Sequence, residues 1–168
     1  VLARTYEEAW DIYQRYKDNC LGVISDVRFP INNVEDKGSS VTEENIPVAE
    51  KDPEAGLKLL RAIRKEDEYL PLIIESSESE NREKAEAEGF HFVDKNSKKM
   101  SVDLRHLLEE HMGFGDFIFR NPETREEVMR IRSLKELQDN IFKIPRDSML
   151  YHISRNHMSR WLSARAIF

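Results

Sequence analysis

Polar and apolar positions follow two rhythms along this chain, and the change from one to the other predicts where each element lies. Val1 to Ala3 is a short apolar run, read as a strand. Thr5 and Glu8 have capping-box spacing, and behind them Tyr6, Ala9, Trp10, Tyr13 and Tyr16 recur at helical intervals. Leu21 to Ile24 is continuously apolar and ends in Ser25-Asp26, the pattern of a strand buried on both faces of a parallel sheet. Ile31 to Lys51 has no period; its acidic residues, with Gly38, Ser39, Ser40 and Pro47, predict a long loop. Asp52-Pro53 then opens a helix, Asp as the cap and Pro at the first helical position, with Leu57, Leu59, Leu60 and Ile63 as its apolar positions.

The same reading continues downstream. Leu70 to Ile74 is a buried strand, and Ser77 with Glu80 is a second capping box for a polar helix that stops at Gly89. Phe90 to Asp94 is a strand, and Ser101 caps a helix through Leu104, Leu107, Leu108 and His111 that closes at Gly113. Strands alternating with helices predict an α/β domain with a parallel sheet, helices on both faces, and function at the carboxyl ends of the strands. After Gly113 the texture changes. Asp116 to Phe119 and Glu127 to Ile131 flank Asn121-Pro122 as a hairpin. Ser133 and Glu136 cap a helix over Leu134, Leu137 and Ile141, Pro145 breaks it, and Asp147 caps one last helix through Leu150, Ile153, His157 and Trp161. The expected organisation is an α/β domain over residues 1–112 and a small α+β extension, a hairpin plus two helices, over 113–168.

Charge adds to this division. The chain has 168 residues and a formal net charge of −6. Residues 113–168 carry 10 Lys/Arg against 7 Asp/Glu, net +3, which leaves 1–112 at −9. The acidic balance points away from a nucleic-acid partner. No apolar run approaches the roughly 18 residues that a membrane span needs, so no membrane partner is expected. Cys20 is the single cysteine, which excludes a disulfide framework within the chain. It is read as a small core residue in a reducing, cytoplasmic setting.

Candidate chemistry lies at three strand ends. Asp26 follows Leu21 to Ser25, Ser76 follows Leu72 to Glu75, and Lys95 follows Phe90 to Asp94. A carboxylate can attack a phosphoryl group or hold Mg²⁺, a hydroxyl can hydrogen-bond a phosphoryl oxygen, and an ammonium can neutralise its charge. In order and spacing these segments resemble the receiver domains of two-component response regulators, the CheY-like family. Asp26-Val27-Arg28-Phe29-Pro30 is similar to the phosphoacceptor turn, and Gly56 to Arg64 to the third helix. Leu70 to Ser76 is similar to the fourth strand with its switch hydroxyl, and Gly89 to Lys95 to the fifth strand, with Phe92 at the switch aromatic and Lys95 at the lysine. Val1 to Asn19 is similar to the second strand and second helix. Departures are the long 31–51 segment and Asn96 in place of the proline that usually follows the lysine.

The resemblance implies a receiver-like, flavodoxin-like α/β domain lacking its first strand. The chain is read as a piece of a longer protein, with that strand and its acidic pair expected upstream or from a partner chain. It also implies that Asp26 accepts a phosphoryl group from a phosphohistidine, that Asp26 and the backbone carbonyl of Arg28 hold Mg²⁺, weakly or not at all without the acidic pair, and that Lys95 pairs with the phosphoryl group. Ser76 and Phe92 would move together as the switch. Expected partners are a histidine kinase or phosphotransfer protein, the attached domains of the parent chain, and a second copy in a homodimer. The module signals and is not itself an enzyme. Asp147 to Trp161, with Tyr151 to His157, resembles the stretch found after such a segment in large bacterial proteins related to phosphoenolpyruvate synthase and pyruvate phosphate dikinase. That resemblance implies an alternative: a pseudo-receiver or structural linker of such a multidomain protein, with no chemistry of its own.

Two further features have plainer readings. His152 and His157, five apart, fall about 140° apart on a continuous helix, a poor ligand pair, with His157 on the packed stripe. Arg155, Arg160 and Arg165 form a basic stripe, read as a solvated or domain-docking face.

Overall fold

A computed structural model describes residues 1–30 and 51–165; the long-loop expectation for 31–51 therefore lies outside the described residues, except at Lys51. The chain divides into two compact units, Val1–Met100 and Ser101–Phe168. The division falls at Met100 rather than at 112, so the helix closing at Gly113 belongs, but for its first residue, to the second unit. With that boundary the units carry net charges of −7 and +1, a milder contrast than the sequence pattern implies.

In the first unit, α1 (Tyr6–Tyr16) starts as the capping box requires. The Thr5 hydroxyl accepts from the Glu8 backbone N–H, while the Glu8 carboxylate accepts from the N–H of Arg4. Val1 to Ala3, expected as a strand, is not one: Val1 and Leu2 are fully or largely exposed and have no neighbouring strand among the described residues. Among the described residues the parallel sheet has three strands, β1 (Val23–Asp26), β4 (Leu72–Ser76) and β5 (His91–Asp94), in the order β1-β4-β5. A two-residue pair, β2 (Phe29–Pro30) with β3 (Lys51–Asp52), sits apart from it.

Helix α2 (Ala55–Glu66) connects β1 to β4, and α3 (Glu80–Ala87) connects β4 to β5. Because parallel crossovers are right-handed, strands added in one direction place their crossover helices on one side. Leu72 and Ile74 accordingly share a single apolar cluster with Tyr13 of α1, Leu57 and Ile63 of α2, and Ala85 of α3. Within this unit α1, α2 and α3 thus pack on one face. The other face carries Ile73, fully buried, and Ile24, 42% exposed. Cys20 is half-buried against the same cluster, in line with a packing role.

Helix starts depart from prediction where a side chain found a different donor. Asp52 does not cap α2; it ends β3, and its Oδ1 accepts from the N–H of Glu54, which makes Asp52-Pro53-Glu54 a turn ahead of the helix. The Ser77/Glu80 capping box does not form, because Ser79 occupies the cap position of α3 and Ser76 supplies the acceptor for the Glu78 N–H. Ser101 lies inside α4 (Met100–His111); Ser97 instead accepts from the N–H of Lys99. Gly89 closes α3 as expected: at φ 74° it is left-handed, and Phe90 N–H donates back to the Ala85 carbonyl.

The second unit packs an antiparallel hairpin, β6 (Phe117–Arg120) and β7 (Glu127–Ile131), with α5 (Leu134–Asn140), α6 (Arg146–Ser154) and α7 (His157–Ser163). Phe117, Phe119, Ile131, Ile144 and Trp161 form its core. Ser133 caps α5 through the Glu136 N–H, as its spacing predicts. The last helix is not continuous. Asn156 takes a left-handed conformation and splits it into α6 and α7, so Leu150 and Ile153, expected on the packed stripe with Trp161, are about half exposed. Nor do the arginines form a stripe. Arg160 is buried and donates to the Arg155 carbonyl, and Arg165 donates to the carbonyls of Gly113 and Gly115 while lying over the Trp161 ring.

One contact ties the first unit's sheet to its helices. The N–H of Gly56, in the first turn of α2, donates to the Val27 carbonyl at 2.9 Å. A Cβ on Gly56 would lie 1.9 Å from the Asp26 carbonyl oxygen and 3.0 Å from Ser25 Oγ. Backbone stands on that side, so nothing can rotate away. Gly56→Ala is expected to destabilise the first unit by about 3 kcal/mol, read as a lowered urea midpoint; overpacked core sites lose up to about this much. An unchanged midpoint would show that β1 and α2 can separate without loss.

Candidate functional site

Parallel pairing sets the three strand ends level. Asp26 at the end of β1 is in register with Glu75 of β4, and Ser76 at the end of β4 is in register with Asp94 of β5. Lys95 follows directly, its backbone N–H donating to the Ser76 carbonyl at 2.9 Å. From there its side chain reaches across β4, and Lys95 Nζ donates to Asp26 Oδ2 at 2.5 Å. The two residues are 69 positions apart in sequence and meet only because the sheet order is β1-β4-β5.

The Asp26 carboxylate is held on its other oxygen as well, since Oδ1 accepts from the Val27 N–H at 2.8 Å. The side chains of Asp26 and Lys95 remain 49% and 34% exposed, so their ion pair works against water and contributes no more than about 1 kcal/mol to folding. Such a pair is weak enough to be opened by a competing anion and close enough to neutralise a charge placed on Asp26.

Ser76 is placed differently. It is buried, and its Oγ accepts from Asn81 Nδ2 at 3.0 Å and from the Glu78 N–H at 3.1 Å. Its hydroxyl is thus engaged with the start of α3, whereas Asp26 and Lys95 contact each other. Phe92 packs partly into the core, and the Arg82 guanidinium lies over its ring at 4.7 Å. Arg28 joins the loop after β1 to the loop after β4, its guanidinium lying 2.7 Å from Glu78 Oε1. Asn96 uses its side-chain N–H to bond the Ser77 carbonyl at 2.8 Å.

The sequence reading missed three of these partners: Asn81, Glu78 and Arg82. Asn81 carried a usable signal, as a short amide in a helix otherwise made of Glu, Lys, Arg and Ala. The bridging roles of Glu78, just ahead of that helix, and Arg82, within it, carried none, because charged residues are common along that whole stretch.

As for a metal, no group of three or more His, Cys, Asp or Glu side chains suited to an ion occurs among the described residues. One carboxylate and one carbonyl, Asp26 and Arg28, nevertheless match how Mg²⁺ is commonly held, through one or two carboxylates, several waters and a phosphate. Among the described residues no helix is long and apolar enough to cross a membrane. The first unit is thus an α/β module with charged groups gathered at the carboxyl end of a three-stranded parallel sheet. No family model, no curated protein and no solved structure matches the chain.

The two kinds of polar contact should separate in stability measurements. Ser76→Ala removes the nearer of two acceptors of the buried Asn81 amide together with the acceptor of the Glu78 N–H, and is expected to destabilise the first unit by roughly 1–3 kcal/mol. Lys95→Met, which removes an exposed ion pair, should change stability by less than about 1 kcal/mol. Chemical denaturation of both variants decides this, and a larger loss for Lys95→Met would make the ion pair a structural element.

Proposed function

We propose that the first unit is a receiver-like signalling module in which Asp26 accepts a phosphoryl group from a phosphohistidine donor and thereby regulates an attached domain. The observation that carries this reading is the meeting of Asp26 and Lys95 at the carboxyl end of parallel strands, the place where such sheets keep their reactive groups. In the reaction an Asp26 carboxylate oxygen attacks phosphorus, the P–O bond forms as the P–N bond to the donor imidazole breaks, and the imidazole leaves with the electron pair and is protonated. The Lys95 ammonium, already on Oδ2, neutralises charge as the phosphoryl group arrives. Mg²⁺, where bound, would rest on Asp26 and the Arg28 carbonyl and shield the phosphoryl oxygens. Ser76 and Phe92 would supply the readout. The partners of this reading are a histidine kinase or phosphotransfer protein, the parent chain's other domains and a second copy of the chain, in the cytoplasm.

One observation favours a second reading. Ser76 Oγ is committed to Asn81 and Glu78, which suits a pseudo-receiver or a structural linker segment of a phosphoenolpyruvate synthase/pyruvate phosphate dikinase-like protein, with no chemistry of its own.

Incubation with Mg²⁺ and acetyl phosphate, followed by intact-mass spectrometry, separates the two. The first reading predicts a single phosphoryl adduct that is alkali-labile and absent from Asp26→Asn. No adduct, or one that survives in Asp26→Asn, overturns it in favour of the second.

A further inference from the structure

The break at Asn156 brings together two rings that a continuous helix would keep apart. Asn156 lies at φ 58°, ψ 17°, and His152 of α6 and His157 of α7 face each other with Nδ1 3.0 Å from Nδ1 and ring centroids 5.1 Å apart. Asn tolerates this left-handed conformation better than most residues, which makes position 156 a suitable place for the turn.

The bonds around the pair fix where its protons sit. A neutral imidazole has one N–H donor and one bare acceptor nitrogen. The backbone N–H of Arg120, on β6, donates to His152 Nε2 at 3.0 Å. Nε2 is therefore the bare nitrogen, and the His152 proton is on Nδ1. That proton points at His157 Nδ1, which must be bare in turn and leaves the His157 proton on Nε2. The relay runs one way, from Arg120 N–H through His152 to His157. A second proton on either ring breaks it: on His152 it sets N–H against the Arg120 N–H, and on His157 it sets N–H against N–H between the rings.

Everything packed around the pair favours the neutral state. His152 is 5% exposed and meets Phe117 and Phe119 of β6 edge-on, at 5.1 and 5.4 Å. Tyr151 abuts both imidazoles. The charged groups acting on the pair are basic from every side: Arg120 on β6, Arg125 in the hairpin turn, Arg155 between the helices and Arg160 on α7, with His111 of α4 also acting on His157. Glu110 of α4 is engaged at a distance, 3.9 Å from the Arg120 guanidinium. Burial first, and then these positive charges, push both rings down to about 4 from the ordinary 6.5.

We propose that His152 and His157 form an acid-sensitive latch that ties α6 and α7 to β6 at neutral pH and releases the second unit's packing in mild acid. The released chain takes up protons near 6.5 and the folded unit only near 4, so the latch is fully effective above about 6.5 and is lost as pH falls from there towards 4. Each ring that protonates on release should raise the unfolding constant roughly 20-fold between pH 7 and pH 5.

The chain's two tryptophans make this readable unit by unit. In full-length Trp10→Phe, Trp161 is the sole indole, 2% exposed and 5.7 Å from Phe117 in the second unit's core. Urea unfolding followed by Trp161 emission should show a lower midpoint at pH 5 than at pH 7. In Trp10→Phe/His157→Asn the amide oxygen replaces the Nδ1 acceptor without titrating. The pH 7 midpoint should hold, and about half of the acid loss should disappear. A midpoint that does not move between pH 7 and pH 5, or an acid loss of full size in the Asn variant, overturns the proposal. Ring-nitrogen NMR of the unsubstituted chain is a check that no substitution can confound. It should find His152 protonated on Nδ1 and His157 on Nε2 at pH 7, both still neutral at pH 5. The same tautomer on both rings, or titration of either near 6.5, overturns the proposal as well.

Discussion

The end of β1 is fixed by backbone, and the rest of the first unit is arranged around that fact. The Asp26 carbonyl accepts from Ser25 Oγ at 2.9 Å and leaves no room for a Cβ on Gly56, while the next carbonyl, that of Val27, accepts from the Gly56 N–H. Three main-chain groups and one hydroxyl thus hold the strand tip against the first turn of α2. The Asp26 carboxylate takes no part in this. It is left half exposed, oriented by the Val27 N–H and answered by Lys95 from beyond β5. A carboxylate on a surface loop would need its own side-chain bonds to stay in place. Here position comes from the main chain, and the charged atoms are left to water and Lys95.

What could be read in the sequence follows the range of each interaction. Leu72-Ile73-Ile74 shows itself as a buried strand because local apolarity reports burial directly, and Gly89 shows itself as a helix stop because only a left-handed residue closes α3. Asp26, Ser76 and Lys95 were legible as strand ends. That Asp26 and Lys95 touch depends on strand order, which no local pattern encodes, and the same holds for Ser76 turning instead to Asn81. Capping boxes were legible only where no rival acceptor existed. Ser133 had none, whereas Ser77 is not the cap because α3 starts two residues later, behind Ser79. The histidine pair was misread for a related reason. Helical periodicity assumes that the helix continues, and the left-handed Asn156 brings His152 and His157 together and leaves Leu150 and Ile153 half exposed, while Trp161 stays buried.

The arrangement also sets the order in which the site's contacts can give way. Ion pairs between exposed groups are screened by salt and contribute little, so Lys95 can leave the Asp26 carboxylate for a competing anion at small cost. Ser76 is in the opposite position. Its Oγ lies in a buried site with two donors pointing at it, and turning it towards Asp26 would leave the Asn81 amide, 6% exposed, without that acceptor. The Asn81 amide has a second acceptor in reach, Glu78 Oε2 at 3.3 Å, and Glu78 is itself bound to Arg28 on the loop after Asp26. A rotation of Ser76 would therefore leave the Asn81 amide on Glu78 alone, and Glu78 also holds Arg28. Arg82, one residue beyond Asn81, lies over Phe92, so a shift at the start of α3 reaches that ring too. Under the phosphoacceptor reading, the start of α3 is the bistable element, and the contact that resists its motion is the buried Ser76–Asn81 bond rather than the exposed Asp26–Lys95 pair.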